Sequence, residues 1–340
     1  MTTHNQTTAP KHHPVQLAAS SDPVRPELLS VVDLIAEHLK CADEFVAPLM
    51  KHIAVSSGGM TRPSLVLLSG RCFGRLNASH IKIAAVVEMI HTATLLHDDV
   101  IDHAAMRRGT DSVNSLWGNE CAVLAGDCLL ARAFGVSGEL QSIQINRLLA
   151  DSAQAMCRGE LKQNLLRGKW DITEEVYRKV VEDKTAQFFS ACCALGAVVS
   201  KVSGSRMQSL AGFGLNFGMA FQHVDDLLDI IGEETTTRKA GGSDLANGKP
   251  TLAFIRMLEK TDVRKKSAVF KELSDNEQPA AAFLERLKET GSLRYVFDTA
   301  ARYVERAVAH LRQIDECSAR ASLVETARSI TARVDQSRLS

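Results

Sequence analysis

Hydrophobic residues recur along most of this chain at the spacing of an α-helix. Between Val31 and Leu39, for example, apolar side chains return every three or four positions, which would place them on one helical face. Strand-like alternation never persists for more than a few residues. The same period predicts further helices over residues 64–75, 80–103, 119–135, 138–164, 174–202, 205–232, 249–260, 279–289, 293–314 and 319–334. The pattern therefore predicts an all-α protein.

Turn-forming residues separate the predicted helices. Gly58 and Gly59 precede a segment that is opened by Pro63, and such residues favour turns and helix starts. Residues 1–24 are rich in Thr, Ser, Pro, His and Ala without any period, so they predict a disordered tail. Residues 25–340 then form one large helical bundle of about ten helices, with a central apolar cavity that can hold a site.

Composition favours a soluble protein without a bias in charge. The 340 residues include 40 Lys or Arg and 40 Asp or Glu, so no net charge attracts the chain to nucleic acid or to an anionic membrane. The N-terminus has no apolar signal segment, and we expect no transmembrane segment, which needs roughly 20 apolar residues. The eight cysteines form no Cys-x-x-Cys pair. They predict reduced thiols packed in the core of a cytoplasmic protein.

Two aspartate-rich stretches speak most directly to function. Residues 98–102 read Asp-Asp-Val-Ile-Asp and residues 225–229 read Asp-Asp-Leu-Leu-Asp, each among apolar neighbours. On a helix, the first and last carboxylates of each stretch would lie one turn apart and repel each other. We therefore expect a compensating cation. Oxygen ligands without paired His or Cys favour Mg²⁺, which shares its ligand shell with substrate phosphates.

The chemistry of such a pair of stretches follows if both end their helices at one mouth of the bundle. They could then hold several Mg²⁺ ions around a diphosphate, which is a good leaving group once it is metal-bound. Departure from an allylic carbon leaves a stabilised carbocation, and the apolar interior would shield it and receive an apolar tail. The same metals would also suit a hydrolase, so residue types alone leave both reactions open.

Further motifs accompany the two stretches in a fixed order. They are Glu88–Asp102, Met106-Arg107-Arg108-Gly109, Leu116-Trp117-Gly118-Asn119, Gly126-Asp127, Gly159-Glu160-Leu161-Lys162-Gln163, Asp183-Lys184-Thr185-Ala186, Phe221–Asp229 and Gly242–Thr251. Together they resemble the trans-type polyprenyl diphosphate synthases, especially the long-chain, octaprenyl-like branch. The resemblance covers residues 30–335.

The resemblance implies an Mg²⁺-dependent prenyltransferase. An allylic diphosphate would ionise, the double bond of isopentenyl diphosphate would attack, and a proton would leave with the pyrophosphate. About three Mg²⁺ ions would be held by aspartates of the two stretches and of the loop that follows. The implied metal ligands are Asp98, Asp99, Asp102, Asp225, Asp229 and, through water, Asp244.

The resemblance also assigns the substrate-binding residues. Basic side chains would grip the allylic diphosphate, namely Arg107, Lys184, Lys239 and Lys249. Thr185 and Gln222 would lie beside the reacting carbons and steady the cation. Arg108, His91 and Arg62 would face isopentenyl diphosphate. Members of the family are commonly homodimers, and the apolar 119–135 helix is a candidate interface.

One motif departs from the family pattern. The family usually carries Gly-Gly-Lys-Arg-x-Arg-Pro, but residues 57–63 read Ser-Gly-Gly-Met-Thr-Arg-Pro. Aligned on Arg-Pro, Gly59 and Met60 replace the Lys and Arg, and Arg62 alone remains. Each lost contact to a phosphate costs on the order of 1.5–3 kcal/mol, unless Lys51 or His52 substitutes.

Three hypotheses follow from this departure. The first is a long-chain synthase with a remodelled acceptor site. The second is a regulatory subunit of a heteromeric synthase, although intact aspartates argue against it. The third is an enzyme that ionises an allylic diphosphate but uses another acceptor, or none.

Product length depends on the residues one turn before the first stretch. The growing tail would run along the helix past Ala93 and Thr94, both small. Small side chains leave the cavity open where a bulky aromatic would close it, so we predict a product of roughly C30–C50.

Overall fold

The computed structural model describes residues 23–55, 59–107, 109–232, 243–274 and 280–339. The predicted all-α fold is confirmed. The described ranges contain sixteen α-helices: α1 (Arg25–Leu39), α2 (Ala47–Val55), α3 (Thr61–Arg71), α4 (Ala78–Ile101), α5 (Val113–Trp117), α6 (Asn119–Gly138), α7 (Ile143–Leu165), α8 (Glu174–Val181), α9 (Gln187–Val199), α10 (Gly204–Ile231), α11 (Ser243–Ala246), α12 (Leu252–Lys260), α13 (Val263–Ser274), α14 (Ala280–Glu289), α15 (Ser292–His310) and α16 (Ser318–Ala332).

Sixteen helices exceed the predicted ten. Helices α2 and α13 lie in segments for which no helix was predicted, and two further reasons account for the other additional helices. Helices of four or five residues, such as α5 and α11, are too short to show a period. The predicted 174–202 segment is also interrupted, because a π-helical turn at Glu182–Ala186 joins α8 to α9. Short 3₁₀ turns at Leu311–Gln313 and Gln336–Leu339 complete the helical structure of the described residues.

A small β-hairpin corrects the expectation that the chain has no strands. Strand β1 (Met106–Arg107) pairs antiparallel with β2 (Thr110–Asp111), with Met106 opposite Asp111. Two residues per strand are too few for any alternation to register in the sequence. The hairpin follows α4 directly and therefore lies beside the first aspartate stretch.

The centre of the bundle is formed by α3, α4, α9 and α10, which carry much of the buried apolar surface. Glycines let these helices approach closely. A Cβ at Gly196 of α9 would lie 2.8 Å from the backbone nitrogen of Gly70 in α3, and one at Gly218 of α10 would lie 2.6 Å from the Cα of Ala186. Close backbone packing leaves little room for helix displacement, so the core is a rigid frame for side chains at the ends of these helices.

The first residues that the structure describes lie slightly before the predicted domain start. Residues 1–22 of the predicted tail lie outside the described residues. Val24 is buried, and its carbonyl accepts a hydrogen bond from the Leu28 backbone N–H at 2.9 Å. Val24 therefore belongs to the packed domain rather than to a tail that ends at residue 24.

Helix α6 corrects the expectation that no segment reaches the length of a membrane span. Among the described residues it is the one helix with sufficient length and hydropathy, at 20 residues and a mean hydropathy of 1.4. The same length and composition occur in core helices of bundles, and Ala122, Leu129 and Ala133 of α6 are buried. Its exposed apolar side chains include Val123, Leu124 and Phe134.

All eight cysteines carry free thiols, but they do not all lie in the core. Cys192 and Cys193 of α9 are fully buried, as predicted. Cys121, Cys157 and Cys317 are exposed, so the prediction of core packing is wrong for these three. Each of them lies on the solvent side of an amphipathic helix or at a helix start. The hydrophobic period of the helix does not require a buried residue at such positions.

Candidate active site

The two aspartate stretches face each other at one end of the bundle, as the sequence predicts. The first closes α4 and the second lies in the last turns of α10. Lys249 connects them, because its Nζ donates to Asp102 Oδ2 at 2.7 Å and its backbone N–H donates to the carbonyl of Asp244 at 2.8 Å. The backbone N–H of Asp244 in turn donates to Asp229 Oδ2 at 3.0 Å. One short chain of hydrogen bonds therefore spans the mouth.

Cations accompany the carboxylates of the first stretch. Asp99 is buried and accepts a hydrogen bond from Arg107 Nε at 2.6 Å. Asp102 accepts from Lys249, which is itself buried, and also pairs with Arg167 from the loop after α7. These ion pairs neutralise a cluster of like charges that would otherwise repel.

Burial and charge act in opposite directions on the two end carboxylates of this stretch. Burial raises the pKa of Asp98 to about 6, although the ammonium of Lys184 opposes the shift. Burial also acts on Asp102, but the hydrogen bond and charge of Lys249 outweigh it and hold the pKa of that carboxyl below its usual value. Asp102 is thus the carboxylate that stays ionised over the wider pH range.

The second stretch has its own partners. Asp225 Oδ1 lies 3.0 Å from Arg333 Nη1, at the end of α16. Asp226 accepts from the Tyr177 hydroxyl at 2.5 Å and from Gln222 Nε2 at 2.7 Å. Burial raises the pKa of both Asp225 and Asp226 to about 6. Raised carboxyl pKa values of this kind show that the ionised carboxylates are unfavourable where they are, and a bound cation would stabilise them.

A polar chain extends from Asp226 to the π-turn. Gln222 donates to Asp226 through Nε2 and accepts through Oε1 from the Thr185 hydroxyl at 2.8 Å. Because the Thr185 proton is used in this bond, the lone pairs of its oxygen stay available to an electron-poor group. The two residues that the resemblance assigns to the reacting carbons are therefore in direct contact.

Lys184 projects from the same π-turn and is held by α7. Its Nζ donates to Gln163 Oε1 at 2.7 Å and lies 2.5 Å from Glu160 Oε2. Burial disfavours the charged amine, but Asp98 and Glu160 outweigh it and raise the pKa of Lys184 above its usual value. Glu160 and Gln163, which the resemblance leaves without an assigned role, therefore both contact this lysine.

A cleft opens beside these side chains. Its polar lining consists of Gln163, Lys184, Thr185, Gln222 and Asp226. The rest of the lining is largely apolar and is provided by Leu166, Ile172, Tyr177, Val180, Val181 and Pro250. Polar and apolar side chains in one cleft suit an amphipathic ligand.

The described residues include part of the predicted binding site for isopentenyl diphosphate. The guanidinium of Arg62 lies 4.5 Å from the centre of the Phe189 ring, and its charge reaches Asp225. His91 is half-buried in α4, where its carbonyl accepts from the Thr94 hydroxyl at 2.7 Å. Met60 precedes α3 in a left-handed conformation with φ of 53°. Arg108 and Lys239 lie outside the described residues, as do Ser57 and Gly58.

Lys51 and His52, the two candidates to replace the missing lysine, lie on α2. His52 Nε2 is 2.9 Å from the carbonyl of Asp111, and its ring packs edge-on against Trp117 at 5.3 Å. His52 therefore links α2 to the hairpin and packs against Trp117. Lys51 is exposed.

The predicted chain-length residues are on α4, one turn before the first stretch. Ala93 is completely buried, whereas Thr94 is half-buried. The preceding turns of α4 contribute aliphatic core residues, including Ile90, Val87 and Val86. None of these α4 side chains carries an aromatic ring.

Three site residues were missed in the sequence. Arg167 reaches Asp102 because its loop docks on the segment before Lys249, where the Gly168 N–H donates to the Gly248 carbonyl at 2.9 Å. Gly168 has φ of +72°, a backbone conformation that favours glycine. The glycine after Arg167 is therefore the feature of the sequence that could have indicated this loop. Tyr177 and Arg333 reach the second stretch through tertiary packing, for which no local pattern exists.

The residues present fit hard divalent cations such as Mg²⁺. Among the described residues, no three Asp, Glu, His or Cys side chains converge as a preformed cage. Mg²⁺ does not need one, since it keeps waters and binds through one or two carboxylates plus substrate phosphates. Burial raises the pKa of Asp244 to about 7, with Asp226 and Asp229 adding to the shift. This excess of buried negative charge is what a bound cation would relieve.

The fold and the site together define a class of protein. An all-helical bundle presents two opposed carboxylate clusters and several buried or half-buried cations at the mouth of a cleft with an apolar wall. Such a mouth suits a metal-bound diphosphate, and the wall suits an apolar chain attached to it.

Comparison with known proteins identifies the family. The family described as polyprenyl synthetase matches residues 43–289. The all-trans-nonaprenyl-diphosphate synthase (geranyl-diphosphate specific) of Rhodobacter capsulatus is 32% identical over 312 residues, which cover 90% of this chain and 94% of that protein. The geranylgeranyl diphosphate synthase of Saccharolobus solfataricus is 34% identical over 273 residues, covering 77% and 82%. The chain belongs to the polyprenyl synthetase family, whose members are prenyltransferases that make polyprenyl diphosphates.

A solved structure agrees with this assignment. The crystal structure of a polyprenyl synthase from Caulobacter crescentus CB15, complexed with calcium and isoprenyl diphosphate, matches with a TM-score of 0.84 at 32% identity. The match covers 91% of this chain and 95% of that one. The predicted fold and family are thereby confirmed.

Proposed function

We propose that the protein is an Mg²⁺-dependent synthase that condenses an allylic diphosphate with isopentenyl diphosphate to make a long-chain trans-polyprenyl diphosphate of roughly C30–C50. The observation that carries the proposal is the pair of facing carboxylate clusters, linked by Lys249, at the mouth of the cleft. Two clusters on opposite sides suit a diphosphate that is held between metal ions.

The aspartates of both stretches are the proposed ligands of about three Mg²⁺ ions. When bound, the ions neutralise the charge that develops on the departing pyrophosphate. The ligands would be Asp98, Asp99 and Asp102 on one side and Asp225, Asp229 and, through water, Asp244 on the other.

The cations of the site have a second role in this proposal. Arg107 and Lys249 pair with Asp99 and Asp102. When those carboxylates hold metal, the same side chains would donate to the allylic diphosphate, together with Lys184 and Lys239.

Thr185 and Gln222 are proposed to stabilise the allylic cation. The Thr185 hydroxyl proton is directed to Gln222 at 2.8 Å, so the electron-rich side of its oxygen remains for the positive carbon. The apolar wall formed by Val180 and Val181 would keep water from capturing that carbon.

The residues proposed to bind isopentenyl diphosphate support a second candidate function. Arg62, Arg108 and His91 are the proposed ligands of isopentenyl diphosphate, but Gly59 and Met60 replace two cations of the usual motif. That substitution favours, as the second candidate, an enzyme that ionises allylic diphosphates and uses another acceptor or none. A regulatory subunit would not need the full set of paired aspartates that is present here.

Release of pyrophosphate from farnesyl diphosphate separates these candidates. With Mg²⁺, we expect release that depends on added isopentenyl diphosphate and stops when the metal is chelated. Release that ignores isopentenyl diphosphate would support the second candidate. No release under either condition would contradict both and favour the regulatory subunit.

The proposal also includes a homodimer in the cytoplasm. Helix α6 exposes Val123, Leu124 and Phe134, an apolar surface that a second copy would cover. The eight free thiols suit a reducing compartment. Light scattering should give twice the 37.0 kDa chain mass, and a monomer would contradict this part of the proposal.

A further inference from the structure

Lys184 is held by two acceptors on one face of α7. Its Nζ donates to Gln163 Oε1 at 2.7 Å and lies 2.5 Å from Glu160 Oε2. Glu160 is in turn oriented by Asn164, whose Nδ2 donates to Glu160 Oε1 at 3.0 Å. Residues three and four apart on a helix share a face, so these three side chains form one continuous support beneath the ammonium group.

The backbone that carries Lys184 is also held by α7. A Cβ at Gly159 would lie 2.6 Å from the Lys184 Cα and still nearer to its backbone nitrogen. Glycine is therefore required for α7 to approach the π-turn this closely. The contact places Glu160, the next residue, directly at the lysine.

Asp183 fixes the π-turn from the other side of Lys184. Its carboxylate is fully buried and accepts from Arg158 Nε at 3.0 Å and Nη2 at 2.8 Å. Lys162 adds a third donor at 3.2 Å. Bidentate pairs of this kind define orientation as well as energy. Segment 158–164 of α7 thus binds both the backbone and the side chain of the Lys184 turn.

We propose that Glu160 and Gln163 are positioning residues that act through Lys184. An ammonium group has three N–H donors. One of them is donated to Gln163, and the ammonium is also paired with the carboxylate of Glu160. Lysine has a flexible four-carbon stem, so without this support the ammonium would sample several rotamers. The inference rests on the proposed function, in which Lys184 binds the allylic diphosphate.

A double-mutant cycle with Gln163→Ala and Lys184→Met tests the inference. Gln163 is uncharged, so its removal leaves the charge of the site unchanged. We expect Gln163→Ala to lower kcat/KM for farnesyl diphosphate roughly tenfold, the typical effect of losing a hydrogen bond to a charged group. In the Lys184→Met background the same substitution should change kcat/KM less than about twofold, because the residue through which it acts is gone. An equal loss in both backgrounds would overturn the inference.

Conservative and control variants sharpen the cycle. Glu160→Gln keeps an oxygen acceptor at the same place, so it should retain most of the activity that Glu160→Ala loses. Gln154→Ala, on the exposed face of α7, should leave kcat/KM unchanged. Thermal unfolding of every variant gives the structural baseline. If Glu160→Gln is as impaired as Glu160→Ala, acceptor-based positioning is excluded.

Pyrophosphate binding separates failure of this inference from failure of the proposed function. If the wild-type protein does not turn over farnesyl diphosphate, the proposed function fails. The affinity for inorganic pyrophosphate, measured calorimetrically with Mg²⁺ over the same four proteins, still decides the inference. A loss on Gln163→Ala that vanishes in the Lys184→Met background supports it, and a loss that persists contradicts it.

Discussion

Single side chains in this protein show how buried charges are tolerated at the mouth of an apolar bundle. Asp99 and Asp102 have direct cationic partners, whereas Asp226 depends on the Tyr177 hydroxyl and the Gln222 amide. Removing one partner of a buried pair leaves an uncompensated charge and costs several kcal/mol, on the order of 3–5. Each site residue therefore serves stability as well as chemistry.

Ala93 provides a test of product length at a single position. Phenylalanine at this fully buried site would fill space along the α4 face one turn before Asp98. We expect Ala93→Phe to shorten the product, at a stability cost of about 1–3 kcal/mol from overpacking. Chromatography of the products measures the length, with Val32→Phe at an exposed position of α1 as control. An unchanged length would show that the tail takes another path.

His223 provides a test of pH-dependent stability. It is buried between Tyr177 and Tyr303, its Nδ1 lies 2.5 Å from the Met219 carbonyl, and burial lowers its pKa from 6.5 to about 4. The unfolded state binds the proton more readily, so this residue's contribution is complete above pH 6.5 and is lost as the pH falls toward 4. Between pH 7 and pH 5 the loss is about 2 kcal/mol.

The variant His223→Gln isolates this effect from the carboxylates. Denaturant unfolding at pH 7 and pH 5 should show a drop in the wild-type protein that exceeds the drop in His223→Gln by about 2 kcal/mol. Exposed His310→Gln serves as control. Equal pH dependence of wild type and His223→Gln would refute the assignment.

At the scale of elements, the π-turn between α8 and α9 is what connects the frame to the chemistry. It places Thr185 against Gln222 of α10 and Lys184 against Gln163 of α7. A regular helix through residues 182–186 would rotate these two side chains away from their partners. The turn is kept in place by the buried Asp183 and by the close approach at Gly159.

Gly159→Ala tests the role of that close approach. Alanine normally stabilises a helix interior by about 0.5–1 kcal/mol over glycine. At Gly159 the added Cβ collides with the Lys184 backbone, so we expect destabilisation of about 1–3 kcal/mol instead. Gly135→Ala in α6 is the matched control, because its Cβ would meet nothing within 4 Å. If both substitutions stabilised the protein in denaturant unfolding, the tight contact would be disproved.

At the scale of the whole molecule, the sequence predicts the parts of the site that lie within one helix and misses those that depend on tertiary packing. The positions of Asp98 and Asp102 follow from helical spacing. Arg333 contacts Asp225 from a distant helix, and Lys249 reaches Asp102 from a loop. Neither contact leaves a periodic signal, because long-range packing decides which ends of the bundle meet.

The resemblance to a known family predicted site residues that the hydrophobic period could not predict. The order of motifs placed Lys184, Thr185 and Gln222 in the site, and the structure brings Thr185 and Gln222 into contact. Helix boundaries were predicted least well where helices are short, as at α5 and α11, or where a π-turn interrupts them. In both cases too few residues are involved for a hydrophobic period to form.

The length of the product made from farnesyl diphosphate, isopentenyl diphosphate and Mg²⁺ tests the central claim most directly. The geometry of two facing carboxylate clusters over an apolar cleft, with only small side chains at Ala93 and Thr94, leads us to expect elongation to roughly C30–C50. Omitting either Mg²⁺ or isopentenyl diphosphate should abolish that product. Recovery of only unextended or cyclised farnesyl products, with all components present, would contradict the claim.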